Sequence, residues 1–226
     1  MDYQKVIRYF TVDQKSLKPW VILLLLSFVA IYVGVTYTQV ALMIGALMAI
    51  SALCVIIGRI KGRVKDSYID EVIASKIKDV KQKAMTKFGI DQDEVNEIAP
   101  ISFDGFIWEG EGVVAKKGKD GIYRSNKYEI ALLLFSRHEV YAYIYSFYIT
   151  KANEVEKTTL YFYKDILTVS TSTKEITLSD DSVIRYESFE LDTAGKTLSC
   201  QLKNNDTAQR SINGLRSLIK AKKLTD

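Results

Sequence analysis

Hydrophobic residues are concentrated near the start of this chain. The forty residues from Pro19 to Gly58 include no charged side chain, and Lys18 and Arg59 flank them. A single helix of that length would measure roughly 60 Å, about twice the hydrocarbon core of a bilayer. The pattern therefore predicts a transmembrane hairpin of two helices within residues 19–60, the first ending near Thr36.

Basic residues lie at both ends of the hairpin and are absent from its turn. Eight of them flank the apolar helices: Lys5, Arg8, Lys15, Lys18, Arg59, Lys61, Arg63 and Lys65. Because cytoplasmic flanks of membrane helices carry an excess of lysine and arginine, both termini are predicted to be cytoplasmic. The last four residues form a juxtamembrane cluster at the lipid headgroups, where each basic residue contributes about 1 kcal/mol to attraction by an anionic membrane surface.

Small residues recur within both apolar segments at helical spacing. They are Ser27, Ala30, Gly34, Ala41, Gly45 and Ala49. Such spacing lets membrane helices approach each other closely. It has two interpretations: packing of the hairpin within one chain, or an interface between copies in a homo-oligomer.

The segment after the hairpin is amphipathic and rich in lysine. From Asp66 to Phe88 apolar residues recur every three or four positions, which predicts one helix that ends at Gly89. A short helical turn from Asp91 is predicted to follow, and Pro100 closes the segment. Residues 61–99 are thus predicted to be a basic connecting region.

After Pro100 the period of apolar residues changes to two, as in β-strands. Eight strands are predicted: Ile101–Trp108, Gly112–Lys116, Tyr128–Ser136, Glu139–Ile149, Lys157–Tyr163, Leu167–Ser172, Val183–Leu191 and Thr197–Lys203. A final amphipathic helix follows, with Ala208, Ile212, Leu215 and Ile219 on its apolar side. The chain is thereby divided into 1–18, 19–60, 61–99 and 100–226. The last region is predicted to be an α+β cytoplasmic domain: a small antiparallel β-barrel or sandwich of seven or eight strands, capped by the C-terminal helix.

This order of strands and helix resembles a bacterial pleckstrin-homology-like (PH-like) domain. The resemblance is carried by Tyr161 to Ile166, Val169, Phe189 to Leu191 and Ile212 to Arg216. Three further segments are similar to uncharacterised two-span bacterial membrane proteins: Pro100-Ile101, Gly118 to Gly121 and Arg124-Ser125. The resemblance implies a PH-like fold and a place in the bacterial cytoplasmic (inner) membrane. It implies no activity, because PH-like folds host unrelated functions.

Residues with catalytic or metal-binding potential are sparse. The net charge of +4 does not suggest a nucleic-acid partner. Cys54 and Cys200 lie in different environments, and His138 is the sole histidine, so neither a metal site nor a catalytic triad is predicted. The glycine-rich stretch Gly110 to Lys116 lacks the third glycine of a nucleotide loop and is interpreted as a hairpin turn. We therefore predict no catalytic residue, no metal and no cofactor.

The main candidate binding site is a basic loop that includes glycines. Its cations are Lys116, Lys117, Lys119, Arg124 and Lys127. Together with backbone N–H groups near Gly118 and Gly121, they could bind phosphate or an anionic headgroup. The alternative is a solvated hairpin that keeps the domain soluble.

These observations predict a membrane-anchored cytoplasmic interaction or regulatory platform without catalytic activity. Its expected partners are the lipid bilayer and another protein. Two alternatives remain: a module that binds anionic lipid or phosphate headgroups through the basic loop, and a subunit of a larger membrane complex.

Overall fold

Two compact units make up the chain. A computed structural model describes residues 2–11, 18–36, 39–61, 64–90, 99–178, 181–202 and 206–223. One unit covers residues 4–65, and the other covers residues 66–226 together with residues 1–3. The helices of the first unit are α1 (Tyr3–Thr11), α2 (Lys18–Thr36) and α3 (Gln39–Lys61). Both α2 and α3 are long and apolar enough to cross a membrane, which confirms the prediction of two such helices. Helix α1 is an addition that the sequence pattern does not predict.

Helices α2 and α3 pack closely at two glycines. A Cβ atom on Gly34 would lie 2.2 Å from the backbone N of Leu42, and one on Gly45 would lie 2.8 Å from the backbone N of Ile31. Both distances are well below van der Waals contact, so any larger residue would force the helices apart. Ser27 is also fully buried. These three small residues therefore serve packing within one chain; the turn residues 37 and 38 lie outside the described residues.

The amphipathic segment forms two helices, which differs from the single helix predicted. They are α4 (Asp66–Ile77) and α5 (Val80–Phe88). The apolar stripe is retained, since Ile69, Ile73, Val80 and Ala84 are all buried. Neither proline nor glycine lies at the break, so residue propensity does not account for it. Gly89 ends α5 in the left-handed conformation, with φ of 65°, as predicted. The turn expected from Asp91 lies outside the described residues.

Nine strands in three antiparallel sheets follow. They are β1 (Ile101–Phe106), β2 (Ala115–Lys117), β3 (Tyr123–Ser125), β4 (Lys127–Phe135), β5 (Glu139–Tyr148), β6 (Glu154–Phe162), β7 (Ile166–Thr177), β8 (Val183–Thr193) and β9 (Thr197–Leu202). The strand orders are β1-β4-β5-β6, β2-β3 and β7-β8-β9. Helix α6 (Asp206–Lys223) ends the described chain. The α+β class is confirmed, but in the described part of the chain the strands do not close into a barrel.

The main core lies between the four-stranded sheet, the three-stranded sheet and α6. Phe103 on β1 stacks on Phe189 of β8, with ring centroids 4.4 Å apart. Ile212 and Leu215 of α6 are fully buried in the same cluster, and Ile219 is nearly so. The amphipathic pattern therefore identified the core-facing side of the C-terminal helix correctly.

Helix α5 packs on the opposite face of the four-stranded sheet. The rings of Phe88 and Tyr141 meet edge to face at 5.0 Å, and the ammonium group of Lys83 lies 4.6 Å from the ring centroid of Tyr145. Strand β5 is consequently buried on both faces. Val140 and Ala142, for example, belong to the main core.

Candidate functional site

The predicted basic loop corresponds to the β2–β3 hairpin and the first residue of β4. Lys116 and Arg124 are cross-strand neighbours in this hairpin. Lys117 lies over the ring of Tyr123, with 5.2 Å from its ammonium nitrogen to the ring centroid. Lys127 lies over a different ring, that of Tyr148, at 5.3 Å.

Arg124 is the exception among these cations because it is buried and already neutralised. Only 3% of its side chain is exposed. Its Nε and Nη2 atoms each donate to a carboxylate oxygen of Asp70 at 2.8 Å, and Nη1 and Nη2 donate to Asp120 at 3.0 and 2.7 Å. The guanidinium group thus joins the hairpin to α4 and is not presented to an incoming anion.

Arg124, Asp70 and Asp120 form a charged triad, and the pKa shifts of Arg124 and Asp120 agree with its hydrogen bonds. The hydrogen bonds that Arg124 donates to Asp70 and Asp120 raise the pKa of its guanidinium group above its usual range. In return, the hydrogen bond from Arg124, with a backbone N–H donated by Ile122, lowers the pKa of Asp120 to about 2. Arg124 and Asp120 are therefore both ionised at neutral pH.

The turn of the hairpin is bound to the same helix. The backbone N–H of Lys119 donates to Asp66 Oδ2 at 2.8 Å, while the Lys119 side chain is exposed. A Cβ atom on Gly118 would lie 2.5 Å from Asp120 Oδ1 and 2.7 Å from Arg124 Nη1, so any larger residue there would displace the side chains of this ion-pair network. The roles of Asp66 and Asp70 have no signal in the sequence, where both belong to the polar side of a helix.

Of the juxtamembrane cluster, only Lys65 can be described in full. Its side chain is exposed and it directly precedes α4. Arg63 and the side chains of Arg59 and Lys61 lie outside the described residues. Their predicted contact with lipid headgroups stays a prediction.

Strand β6 forms an open edge of the four-stranded sheet. Among the strands that the structure describes, it pairs with β5 alone. At one end of the pair the N–H of Tyr148 donates to the carbonyl of Asn153 at 3.0 Å, and at the other the N–H of Tyr163 donates to the carbonyl of His138 at 3.3 Å. Because hydrogen-bonded pairs alternate along an antiparallel ladder, the odd-numbered residues of β6 bond to β5. The even-numbered residues, including Thr158, direct their backbone groups away from the sheet.

Ion pairs from both amphipathic helices fix this edge strand. Lys76 of α4 binds Glu154, and Lys87 of α5 binds Glu156 at 2.8 Å. These contacts lower the pKa of both carboxyl groups. Apolar side chains remain exposed on the strand, and Val155 has 59% of its surface accessible. The edge is thus held in place yet unpaired.

Other residues with chemical potential take structural positions. His138 is exposed in the β4–β5 turn, where its backbone carbonyl accepts the bond from Tyr163. Gly110 and Gly112 adopt positive φ angles of 119° and 71°, which fits a turn. Both cysteines are free thiols, and no group of three or more metal-ligating side chains occurs among the described residues.

A comparison of the chain with protein-family models, curated proteins and solved structures found no match. The function of this chain is therefore inferred from its own geometry.

Proposed function

We propose that this protein is a membrane-anchored interaction platform without catalytic activity, and that it binds an extended segment of a partner protein along strand β6. The observation that carries the proposal is the open edge of the four-stranded sheet. Nine residues of β6 pair on one side only, and their outward backbone groups offer a ready template for a further strand.

The anchor in this proposal is the α2–α3 pair. Its two apolar helices are flanked by basic residues on the N-terminal side of the first and the C-terminal side of the second. By the positive-inside rule, both termini and the sheet-rich unit lie in the cytoplasm, and the bacterial inner membrane is the proposed location.

A PH-like architecture is part of the same proposal. Two antiparallel sheets face each other across one core, and a C-terminal helix contributes to that core. The segments that suggested the resemblance contribute core residues: Tyr163 and Ile166 are buried where β6 passes into β7, and Leu215 is buried on α6. This arrangement supports the resemblance, while the nine strands exceed the seven or eight expected.

The edge of β6 is better suited to a partner strand than the corresponding edge of the three-stranded sheet. On β7, the carbonyl of Val169 already accepts a hydrogen bond from Arg216 Nε of α6 at 3.0 Å. On β6, in contrast, Glu154 and Glu156 form their ion pairs with Lys76 of α4 and Lys87 of α5. Main-chain bonding would supply affinity, and exposed side chains such as Phe162 would supply specificity.

The alternative of a headgroup-binding loop has weaker support. Arg124, the cation best suited to hold a phosphate in two-point contact, is committed to Asp70 and Asp120. The remaining cations are lysines on a short hairpin. A place as subunit of a larger membrane complex is compatible with the strand-addition proposal, since a partner that adds a strand to β6 would itself be a subunit of that complex.

Thr158→Pro tests the proposal. The N–H of Thr158 points away from β5, so proline there removes no bond of the existing ladder but blocks an added strand. With a photoreactive residue at position 157 of the full chain in native membranes, crosslinks to a defined partner segment should fall about tenfold. Crosslinked peptides identified by mass spectrometry give the measurement.

A matched variant separates edge blocking from general damage. Thr177→Pro makes the same change at an exposed position of β7. The N–H of the neighbouring Leu178 donates to the carbonyl of Ser182, and bonded residues alternate along the ladder, so the N–H of Thr177 points away from β8. It should leave crosslinking at position 157 unchanged. Equal loss in both variants, or no loss with Thr158→Pro, would contradict strand addition at β6.

A further inference from the structure

A cavity of about 420 Å³ lies between α4, β1 and the strands β8 and β9. It shares no residue with β6. Ile73 and Ile77 of α4 line one side, and Ile184 and Leu202 line another. Its volume falls in the range of small-molecule sites, which are mostly apolar with a few polar groups.

Aromatic rings form a substantial part of the cavity wall. Five line the cavity: Phe106, Trp108, Tyr123, Tyr128 and Tyr186. Phe106 is central among them, since its ring centroid lies 5.6 Å from that of Trp108 and 5.0 Å from that of Tyr128. The faces of such rings carry negative electrostatic potential and attract organic cations.

The charged groups of the wall leave an excess of negative charge. Asp70 is matched by Arg124, and Arg185 is matched by Glu175. Asp104 accepts a hydrogen bond only from the neutral hydroxyl of Tyr128. Glu187 makes no ion pair within the described part of the chain. Two carboxylates therefore face the cavity without a counter-charge.

One buried donor of the wall has no acceptor. The indole Nε1 of Trp108 is inaccessible to solvent and lies within hydrogen-bonding distance of no described acceptor. No water-sized probe reaches this nitrogen from the cavity, so it is not a contact point for a ligand.

The cavity is also a fixed feature of the packing. A Cβ atom on Gly105 of β1 would lie 2.9 Å from the Cβ of Gln201 on β9, so only glycine permits the two strands to approach this closely. The carboxylate of Asp104 is held by Tyr128 on the neighbouring strand β4. The polar group is thus oriented before any ligand arrives.

We propose that this cavity binds a small organic cation, an ammonium group on an apolar body. The apolar body occupies the space between Ile73 and Ile184. The ammonium group lies against the aromatic rings and the carboxylates of Asp104 and Glu187.

Three probes that share a phenol ring but differ in charge test this proposal. They are tyramine (cationic), para-ethylphenol (neutral) and para-hydroxyphenylpropionate (anionic). The full chain is reconstituted in vesicles of zwitterionic lipid with Trp20→Phe, which leaves Trp108 as the single tryptophan. Trp108 fluorescence should report tyramine binding about tenfold tighter than para-ethylphenol binding, with the anion weakest.

Two substitutions assign the effect to the cavity. Asp104→Asn combined with Glu187→Gln removes both unpaired charges and keeps an acceptor for Tyr128, so tyramine should bind this double variant only as well as para-ethylphenol. Asp181→Asn, an exposed carboxylate away from the cavity, should change nothing. Ala74→Phe narrows the cavity from the exposed side of α4 and should abolish binding of tyramine, whereas the neighbouring Ser75→Phe should not.

Several results would overturn the proposal. They are equal affinity for the three probes, preference for the anion, a tyramine preference that survives the combined Asp104→Asn and Glu187→Gln substitutions, binding that survives Ala74→Phe, and binding of none of the probes. Because β6 does not line the cavity, these results leave strand addition at β6 unaffected.

Discussion

Arg124 holds together three parts of the sheet-rich unit: strand β3, the turn after β2 and helix α4. Its partner Asp70 lies 54 residues away along the chain, and Asp120 lies four residues away. The two carboxylates are about half and one-third exposed, whereas the guanidinium group is enclosed. Removing the cation would therefore leave two partly hydrated carboxylates close together.

We expect Arg124→Met to lower the free energy of unfolding by about 2–3 kcal/mol, because four charge-assisted hydrogen bonds are lost while the freed carboxylates regain some water. Lys119→Met, an exposed cation in the same hairpin, should change it by less than about 0.5 kcal/mol. Denaturant unfolding followed by Trp108 fluorescence in the Trp20→Phe background measures both. Equal values for the two variants would contradict a structural role for Arg124.

The triad also predicts a direction of pH dependence. The pKa of Asp120 is about 2 in the folded chain against an ordinary value of 3.8, so its contribution is fully present above 3.8 and is lost as pH falls through about 2. The loss of stability that Arg124→Met causes should accordingly persist down to pH 4. A test of headgroup binding by the basic loop must keep Arg124, because its replacement would also destabilise the fold. Only the lysines of the loop should be replaced.

At the scale of elements, the sequence predicts elements with a clear apolar period, whereas it does not predict short or polar elements. The stripe of α6 and the two-sided burial of β5 follow from repeats of 3.6 and two residues. Strand β3 has three residues, Tyr-Arg-Ser, which show no period and are too few for a propensity signal. The cavity could not be predicted either, because its wall combines residues of helix α4 and several strands that are distant in sequence.

Leu215→Ala should lower the free energy of unfolding by about 2–5 kcal/mol, since this fully buried side chain of α6 belongs to the main core. Leu167→Ala offers the matched comparison, because Leu167 on β7 is 63% exposed. We expect its effect to stay below about 0.5 kcal/mol. If the two variants unfolded at the same denaturant concentration, α6 would not be an integral part of the fold.

At the scale of the whole molecule, the apolar pair and the sheet-rich unit are distinct units joined by a short segment. The distribution of charge predicts on which side of the membrane both units lie, since the basic flanks are on the same side of the predicted hairpin. The sequence is sufficient for that inference because insertion responds to local charge and hydrophobicity, not to tertiary contacts.

Reporters fused after Asp226 and inserted at positions 37–39 should report opposite compartments, with the reporter after Asp226 cytoplasmic. The measurement is the activity of a compartment-specific reporter pair in the same cells. Exchanging Arg59, Lys61, Arg63 and Lys65 for glutamine should weaken this preference. A C-terminal reporter outside the cytoplasm would contradict both the topology and the proposed site of partner binding.

The attachment of α4 to the hairpin has a mechanical consequence. Helix α4 begins at Asp66, soon after α3 ends at Lys61, so tension applied through the anchor enters the sheet-rich unit at the first turn of α4. There Asp66 holds the N–H of Lys119, and one turn later Asp70 holds Arg124. These bonds pass part of the force to the β2–β3 hairpin. The remainder is carried by the buried side chains of α4 and by the ion pair between Lys76 and Glu154, so the load is divided between the hairpin and the four-stranded sheet.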